Sequence, residues 1–541
     1  MSRVAAIGLD GAEWTFVETL LADGELPNLA AIRARSTHVD LTNEDVGTAL
    51  VWEAFVTGHR PPSSAVRFDE ADYTVVQALA PDEAPFWTKA GVRTIAFDVP
   101  LLSLAEVGPG LHVTSWGAHG AAYPRASKPN DLLAEIDARF GVHPAYHDDK
   151  VEWNDPDSVR DLEERLVAGA AIRRDVAQFL LEREPDWQLF LTMYSETHSA
   201  GEAFWHAADP QHLLSTLPAT KDARRALVNV YKAVDASIGE LVSALPGDVT
   251  VVLFSVHGMK QNTGDVPSGM LLPELLYRLR FDEPFLEQPN GEWWGSKDKP
   301  AVVPPRGTWP VPVERRLASE SPTRLVKRAV RRLLPRSVEN FLILQVEKRR
   351  EQAEGPAESV PKSLSLRAHV PSWYRSAWPK MDAFALPTFA DGRVRINLQG
   401  RESTGTVPPD DYEETRSRIA RELLACRDPR TGEPVVEELV MLEGDPRAAH
   451  PTECDIRIVW KENVDSLEHP TAGAIGPFRL GRTGGHTERG FAFIATPGGR
   501  GAELGTRPAR DLVPTLLTLV GQEVPEPIEG SAIDPIHART G

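Results

Sequence analysis

Val249-Thr250-Val251-Val252-Leu253-Phe254 is almost wholly β-branched or aromatic, and Ser255-Val256-His257-Gly258-Met259 follows it directly. A short apolar run of this composition, closed by polar and Gly residues, reads as a strand buried on both faces of a parallel sheet. Val4 to Leu9, Val92 to Phe97 and Leu189 to Tyr194 read the same way, and longer amphipathic stretches separate them. That alternation is the signature of parallel strands joined by crossover helices. The chain is therefore expected to be α/β, with a mostly parallel central sheet flanked by helices. Ligands of open parallel sheets bind just beyond the carboxyl ends of the strands, which puts Asp10, Glu196 to Glu202 and Ser255 to Met259 where chemistry is expected.

The bulk properties narrow the class. The 541 residues exceed a typical domain of roughly 100–150 residues several-fold, so one large core with inserted subdomains is expected. A composition of 41% hydrophobic and 25% charged residues belongs to a folded globular chain, not a disordered one. The net charge of -19 argues against nucleic-acid polymers and anionic membranes as partners, since both are polyanions. A small anionic substrate remains compatible, because a bound cation can reverse the local field. The two cysteines, Cys426 and Cys454, are too few for a disulfide framework. The apolar stretch after Met1-Ser2-Arg3 is too short for a signal peptide, and no run approaches the ~18 apolar residues of a membrane span. A cytoplasmic protein is the expectation.

Changes in character along the chain suggest four segments: a core from 1 to 261, an inserted cap or lid over 262–380, a small α/β subdomain over 381–475, and a closing part of the core over 476–541. The cap segment is proline-rich, carries Trp293-Trp294, and contains a basic stretch from Arg324 to Arg350 broken at Pro335. Its cations are read either as a solvated helix face or as an attraction for an anionic substrate. Gly392 to Gly400 alternates like a strand, and Asp410 to Cys426 has helical periodicity.

Five short stretches carry residues able to do chemistry. Asp10 ends an apolar strand and precedes Gly11, so it suits a cation ligand or the cap of the helix starting near Glu13. Thr48 lies in Gly47-Thr48-Ala49-Leu50-Val51-Trp52, followed by Thr57-Gly58-His59-Arg60-Pro61. Its hydroxyl is either a helix cap or a nucleophile, and a nucleophile would need a base or metal to activate it. In Ser195-Glu196-Thr197-His198-Ser199-Ala200-Gly201-Glu202, His198 and Glu202 are four apart. That spacing puts imidazole and carboxylate on one helical face, within reach of one cation; the alternative is a loop packed under Trp205. His257 and His486, the latter in Gly484-Gly485-His486-Thr487, each sit beside Gly at a strand end or loop. Singly either is compatible with a surface histidine; together the five stretches point to a site.

In this order the motifs resemble the alkaline phosphatase superfamily, and more closely its type I phosphodiesterase/nucleotide pyrophosphatase branch. IGLDGAEW resembles the first metal-binding strand end, and TALVWEAFVTGHRP the nucleophile segment ending in Thr-Gly-x-x-Pro. SETHSAGEAFWH stands in place of an Asp-x-x-x-His metal motif, FSVHGM in place of Asp-His-Gly, and GGHTERGFAFI in place of the last His ligand. RINLQGRESTGTV and DLVPTLLTLVGQEVPEPIEG also resemble family segments, so the likeness spans most of the chain.

The resemblance implies an alkaline phosphatase-like core and a centre of two divalent cations, usually zinc. One would be held by Asp10, Thr48 and His257, the other by His198, Glu202 and His486, with Thr48 as nucleophile and a phospho-threonine intermediate. The expected function is hydrolysis of a phosphodiester or phosphomonoester, with a nucleotide or another small phosphate or sulfate ester as substrate. Phosphoryl or sulfuryl transfer and a metal-poor, non-catalytic ligand-binding descendant are the alternatives.

Three departures qualify the likeness. His198 and Glu202 exchange the family's Asp and His while still offering a His/Glu/His set suited to zinc. Ser63-Ser64-Ala65-Val66 lacks the His-Gly that often follows the nucleophile segment. Val256 stands where the family has a second Asp and cannot ligate a cation, leaving one carboxylate fewer unless Glu196 or Asp265 substitutes. One or two ions are therefore expected, the second weakened by Val256.

Overall fold

The computed structural model describes residues 2–43, 51–60, 66–69, 73–78, 83–117, 125–146, 148–149, 151–287, 314–315, 363–365, 369–388, 391–441, 443–448, 454–499 and 501–534. Thr48, Trp293-Trp294 and the basic stretch 324–350 lie outside the described residues. The chain divides into two compact units, one of residues 1–65, 79–261 and 483–541 and one of residues 66–78 and 262–482.

The first unit contains strands β1 (Val4–Leu9), β2 (Thr37–Thr42), β3 (Thr94–Phe97), β4 (Gly110–Thr114), β5 (Ala126–Lys128), β6 (Leu189–Tyr194), β7 (Thr250–Ser255), β8 (Gly258–Gln261), β9 (Gly484–Thr487), β10 (Arg489–Ala495) and β11 (Ala502–Pro508). Nine of them form one sheet in the order β11-β2-β10-β7-β1-β6-β3-β4-β5. The block β7-β1-β6-β3-β4 is parallel throughout. β10 runs antiparallel between β7 and β2, and β5 is an antiparallel edge. This is the mostly parallel α/β sheet that the apolar runs led us to expect.

Strands β1, β6 and β7 are buried at every residue, which explains why their sequences are continuous apolar runs rather than alternating ones. One cluster of buried side chains joins Val4, Ala6, Leu191, Val252 and Phe254 to Leu512 and Leu516. β3 starts two residues later than the run Val92 to Phe97, because the Val92 N–H is used at 2.8 Å on the Trp87 carbonyl to close the preceding turn. Helices α1 (Trp14–Ala22), α2 (Val51–Thr57), α3 (Pro156–Arg183), α4 (Glu196–Phe204) and α5 (Thr220–Ser243) belong to this unit. Glu13 caps α1 by accepting from the Phe16 N–H at 3.0 Å, so the capping role considered for Asp10 falls to Glu13.

In the second unit, an antiparallel sheet joins Ala383–Ala385, Gly392–Ile396, Ile456–Trp460 and Val436–Met441. The strand read over Gly392 to Gly400 stops at Ile396, and the helix read over Asp410 to Cys426 spans Tyr412–Ala425. Buried Arg401 holds this unit together through Asp455 and Glu402, at 2.7 and 2.9 Å. Among the described residues, no helix is long and apolar enough to cross a membrane.

β9 lies against α4 so closely that a Cβ on Gly484 would sit 2.3 Å from the Gly201 carbonyl oxygen. Gly484→Ala should therefore force the two apart, destabilising the chain by roughly 1–3 kcal/mol. Gly247→Ala, with nothing within 4 Å of its new methyl, should change stability by no more than about 0.5 kcal/mol. Urea unfolding of the two variants measures the contrast.

Candidate functional site

β1 is hydrogen-bonded on one side to β6, with Leu9 opposite Tyr194, and on the other to β7, with Gly8 opposite Phe254. Three neighbouring strands therefore end at one level, and each is followed by a candidate residue. Asp10 follows β1, His198 and Glu202 lie on α4 directly after β6, and His257 follows β7. The Asp10 N–H donates to the Tyr194 carbonyl at 3.1 Å, and the Thr197 hydroxyl donates to the Asp10 carbonyl at 2.6 Å. Gly11 has φ +64°, and a Cβ there would stand 3.1 Å from the His198 ring, so the end of β1 and α4 pack with no room for a side chain.

His486 arrives from the far end of the sequence on β9, which pairs antiparallel with β8 so that His486 faces Met259, two residues after His257. Its Nε2 lies 2.8 Å from Nε2 of His198. One ligand atom from each of His198, Glu202 and His486 lies within 4.8 Å of the others. Two imidazole nitrogens this close cannot both carry a proton, so one donates and the other accepts, or both turn their lone pairs to a common cation. Two His nitrogens and a carboxylate oxygen are also a donor set suited to zinc, so the residues present fit a divalent cation.

His257 stands beside this group, its ring centre 4.5 Å from that of His486 and 6.0 Å from that of His198. Its Nδ1 faces the Gly258 carbonyl at 3.3 Å and its Nε2 faces Asp10 Oδ1 at 3.1 Å. The same Asp10 oxygen accepts the Trp52 indole N–H at 3.1 Å. Asp10, His198, Glu202, His257 and His486 are thus brought together, whereas Thr48 lies outside the described residues.

Glu196 and Asp265, the acids considered as replacements for the missing Asp, are each paired with an arginine. Glu196, wholly buried, accepts from Arg173 Nε at 3.0 and 3.1 Å and pairs with His143 Nε2 at 3.1 Å. Burial works to raise its carboxyl, but the Arg173 charge and the His143 hydrogen bond outweigh burial and hold it below the usual carboxylate range. Arg173 also binds Asp98 at 2.9 Å and the Ser195 hydroxyl at 3.1 Å, so this network anchors the first turn of α4. Asp265, in the second unit, is held by Arg482 at 2.6 and 3.0 Å. Val256 is buried in the apolar cluster with Trp52, Phe55 and Phe254.

At the other end of α4, the Thr483 N–H donates to the Glu202 carbonyl at 2.8 Å. Thr483 is in turn flanked by His206 and His212, both at 3.2 Å. Burial lowers these histidines to about 3 and about 4, so at neutral pH they are uncharged scaffold groups.

Sequence reasoning passed over Trp52 and Arg173. Trp52 reads as one apolar residue of its segment, although a buried indole N–H needs a partner. Arg173 lies on the apolar stripe Leu166, Gly169, Ala170, Val176, Ala177 and Leu180 of α3, where a cation implies buried anions.

A family model, type I phosphodiesterase/nucleotide pyrophosphatase, matches residues 4–290, more than half of the chain. The chain belongs to this family. That membership places it among hydrolases of phosphate esters. Among solved structures, wild-type alkaline phosphatase PafA is similar at 12% identity over 98% of this chain and 99% of its own, with a TM-score of 0.48. Murine ectonucleotide pyrophosphatase/phosphodiesterase 5, as an inactive variant in complex with AMP, is 12% identical over 98% of both chains, with a TM-score of 0.45. Phosphonoacetate hydrolase from Sinorhizobium meliloti 1021, in complex with phosphonoformate, is 12% identical over 96% of both, with a TM-score of 0.44. Curated proteins compared by sequence include no significant match.

Removing Arg173 would leave two buried carboxylates without their cation. Arg173→Leu should cost about 3–5 kcal/mol, measured by chemical denaturation, and Arg173→Lys should recover only part of it because one ammonium cannot reach all the partners of the guanidinium.

Proposed function

We propose that the chain is a metal-dependent hydrolase of phosphodiester or phosphomonoester bonds, working through a phospho-Thr48 intermediate on a small anionic, nucleotide-like ester. The observation that carries this is the convergence of His198, Glu202 and His486 on one point beside the Asp10–His257 pair, in a member of a phosphodiesterase family. His198, Glu202 and His486 would hold the cation, and two nitrogens with one carboxylate favour zinc over magnesium. A divalent cation there supplies charge stabilisation for the phosphoryl oxygens and eases deprotonation of an attacking hydroxyl.

The role of Thr48 rests on its sequence context, and its neighbours support it. Asn43 donates to the Val256 carbonyl at 3.2 Å and Trp52 donates to Asp10, so the chain on both sides of Thr48 is tied to the ends of β7 and β1. In the proposed first step the Thr48 hydroxyl gives up its proton to solvent and Oγ bonds to phosphorus as the P–O bond opposite breaks, the leaving oxygen keeping the electron pair and taking a proton from solvent. Water then attacks phosphorus and loses a proton to solvent, the Thr48 Oγ–P bond breaks, and Oγ takes up a proton to restore the hydroxyl. Gly258 orients the His257 ring through Nδ1, aiming Nε2 at Asp10. The buried anchor at Glu196 keeps α4, and with it His198 and Glu202, in place.

Val256 favours a second reading, a metal-poor protein that binds ligands without turnover. Turnover of a chromogenic phosphodiester separates the two. The wild type should be active, a chelator should abolish activity, Zn²⁺ should restore it, and Thr48→Ala should lose at least about a hundredfold in kcat. A folded Thr48→Ala variant as active as the wild type would refute the phospho-threonine route.

A further inference from the structure

The spacing of His198, Glu202 and His486, read above as ligands of a cation, depends on how α4 meets β9. Thr483, fully buried, stands immediately before β9 and commits every polar group to that junction. Its N–H donates to the Glu202 carbonyl at 2.8 Å. Its hydroxyl donates to the Ala203 carbonyl at 3.1 Å and accepts the backbone N–H of His206 at 3.3 Å. His206 Nδ1 lies 3.2 Å from the same oxygen, and since His206 Nε2 is buried with no hydrogen-bond partner, a ring proton on Nδ1 avoids an unpaired buried N–H. The hydroxyl thus uses its one proton and both lone pairs. On the far side the Thr483 carbonyl faces His212 Nε2 at 3.2 Å, and His212 Nδ1 accepts the Leu214 N–H at 3.0 Å, so Nε2 carries the ring proton and donates.

Gly484, the next residue, brings backbone against backbone: a Cβ there would sit 2.3 Å from the Gly201 carbonyl oxygen and 3.1 Å from Glu202 Cα. Strand residues two apart share a face at about 6.6 Å, and four residues of helix rise about 6 Å. With Gly484 seated at the level of Gly201 and Glu202, His486 is therefore carried to the level of His198, where the two Nε2 atoms stand 2.8 Å apart. Met259, opposite His486 on β8, rests on the same surface. A Cβ on Gly201 would lie 2.9 Å from its Cγ and one on Gly11 2.6 Å from its Cε, so its side chain fills the space that two glycines leave.

We infer that Thr483 is the positioning residue of this cation site: by holding the start of β9 to the last turn of α4, it sets the spacing of the His198, Glu202 and His486 ligand atoms before a cation binds. The inference rests on the reading of those three as cation ligands. Thr483 itself touches the Glu202 backbone and no ligand side chain, so it acts on the ion only through the junction. Without the hydroxyl, the backbone bonds to Glu202 and His212 remain while the ties to Ala203 and His206 are lost. The junction then loosens rather than parts, and the effect falls on affinity for the ion.

Two measurements on the full-length chain test this. Hydrogen exchange of the wild type, stripped with a chelator and then reloaded with Zn²⁺, reads whether the protein or the ion forms the junction. The Thr483 amide should be equally protected in both states. Free exchange in the stripped chain, with protection only after Zn²⁺ is added, would overturn the inference, and this arm decides the matter if a variant fails to fold. The second measurement is Zn²⁺ affinity, by competition with a chromogenic chelator, with circular dichroism as the check on folding. Thr483→Val should raise the Kd by about 10–100-fold, and Thr483→Ser, which keeps the hydroxyl, should recover most of the loss. Thr515→Val removes another buried hydroxyl that bridges two backbone groups, outside this junction, and should leave the Kd unchanged. A folded Thr483→Val that binds Zn²⁺ as tightly as the wild type would overturn the inference and leave the cation reading intact. Equal weakening in Thr515→Val would show a general loss of stability in place of positioning, which also overturns it. A wild type that binds no Zn²⁺ would instead overturn the cation reading on which the inference rests.

Discussion

The site depends on one constraint: β1 is hydrogen-bonded in parallel on both sides, so that it, β6 and β7 end at the same level. Pairing on both sides sets the level of β1 against both neighbours, and a one-residue slip would have to repack close-fitted side chains on two buried faces. Asp10, the start of α4 and His257 are delivered to one place by backbone geometry alone. Only His486 needs a further device, the antiparallel pairing of β9 with β8 that sets it against Met259.

Holding α4 there requires charge deep in the protein. Arg173, Glu196, Asp98 and His143 form a buried network whose members satisfy one another, and Arg173 is fully buried at 0% exposure. Such networks add little net stability compared with well-packed apolar residues, because desolvation offsets most of the attraction. What this one supplies is direction. Glu196 and Ser195 sit at the start of α4 and are fixed from α3, while Thr483 fixes the Glu202 end. The helix carrying His198 and Glu202 is thus held at both ends by hydrogen bonds.

The sheet was legible because its strands are buried on both faces and so read as unbroken apolar runs with polar residues at their ends. The spacing of His198 and Glu202 was legible for a similar reason, since four residues make one helical turn. Strand limits shifted where a turn claimed a backbone N–H, as at Val92. Trp52 and Arg173 were not legible as site residues: one belongs to an apolar segment, the other looks like any helix cation until its place on the buried stripe is seen. Neither local pattern states which distant carboxylate will lie within reach.

Val256 sets an apolar side chain at the edge of a polar centre. An Asp at that position would bring a charge into the cluster of Trp52, Phe55 and Phe254, and it would need a cation or several donors to be stable there. With valine, the cluster closes over the end of β7, and the Val256 backbone carbonyl is satisfied by Asn43. On the other side of Trp52, Asp10 Oδ1 accepts the indole N–H and faces His257 Nε2, both at 3.1 Å. The apolar packing around Val256 and the polar pair at Asp10 thus share one side chain, because the Trp52 ring belongs to the cluster while its N–H donates to Asp10.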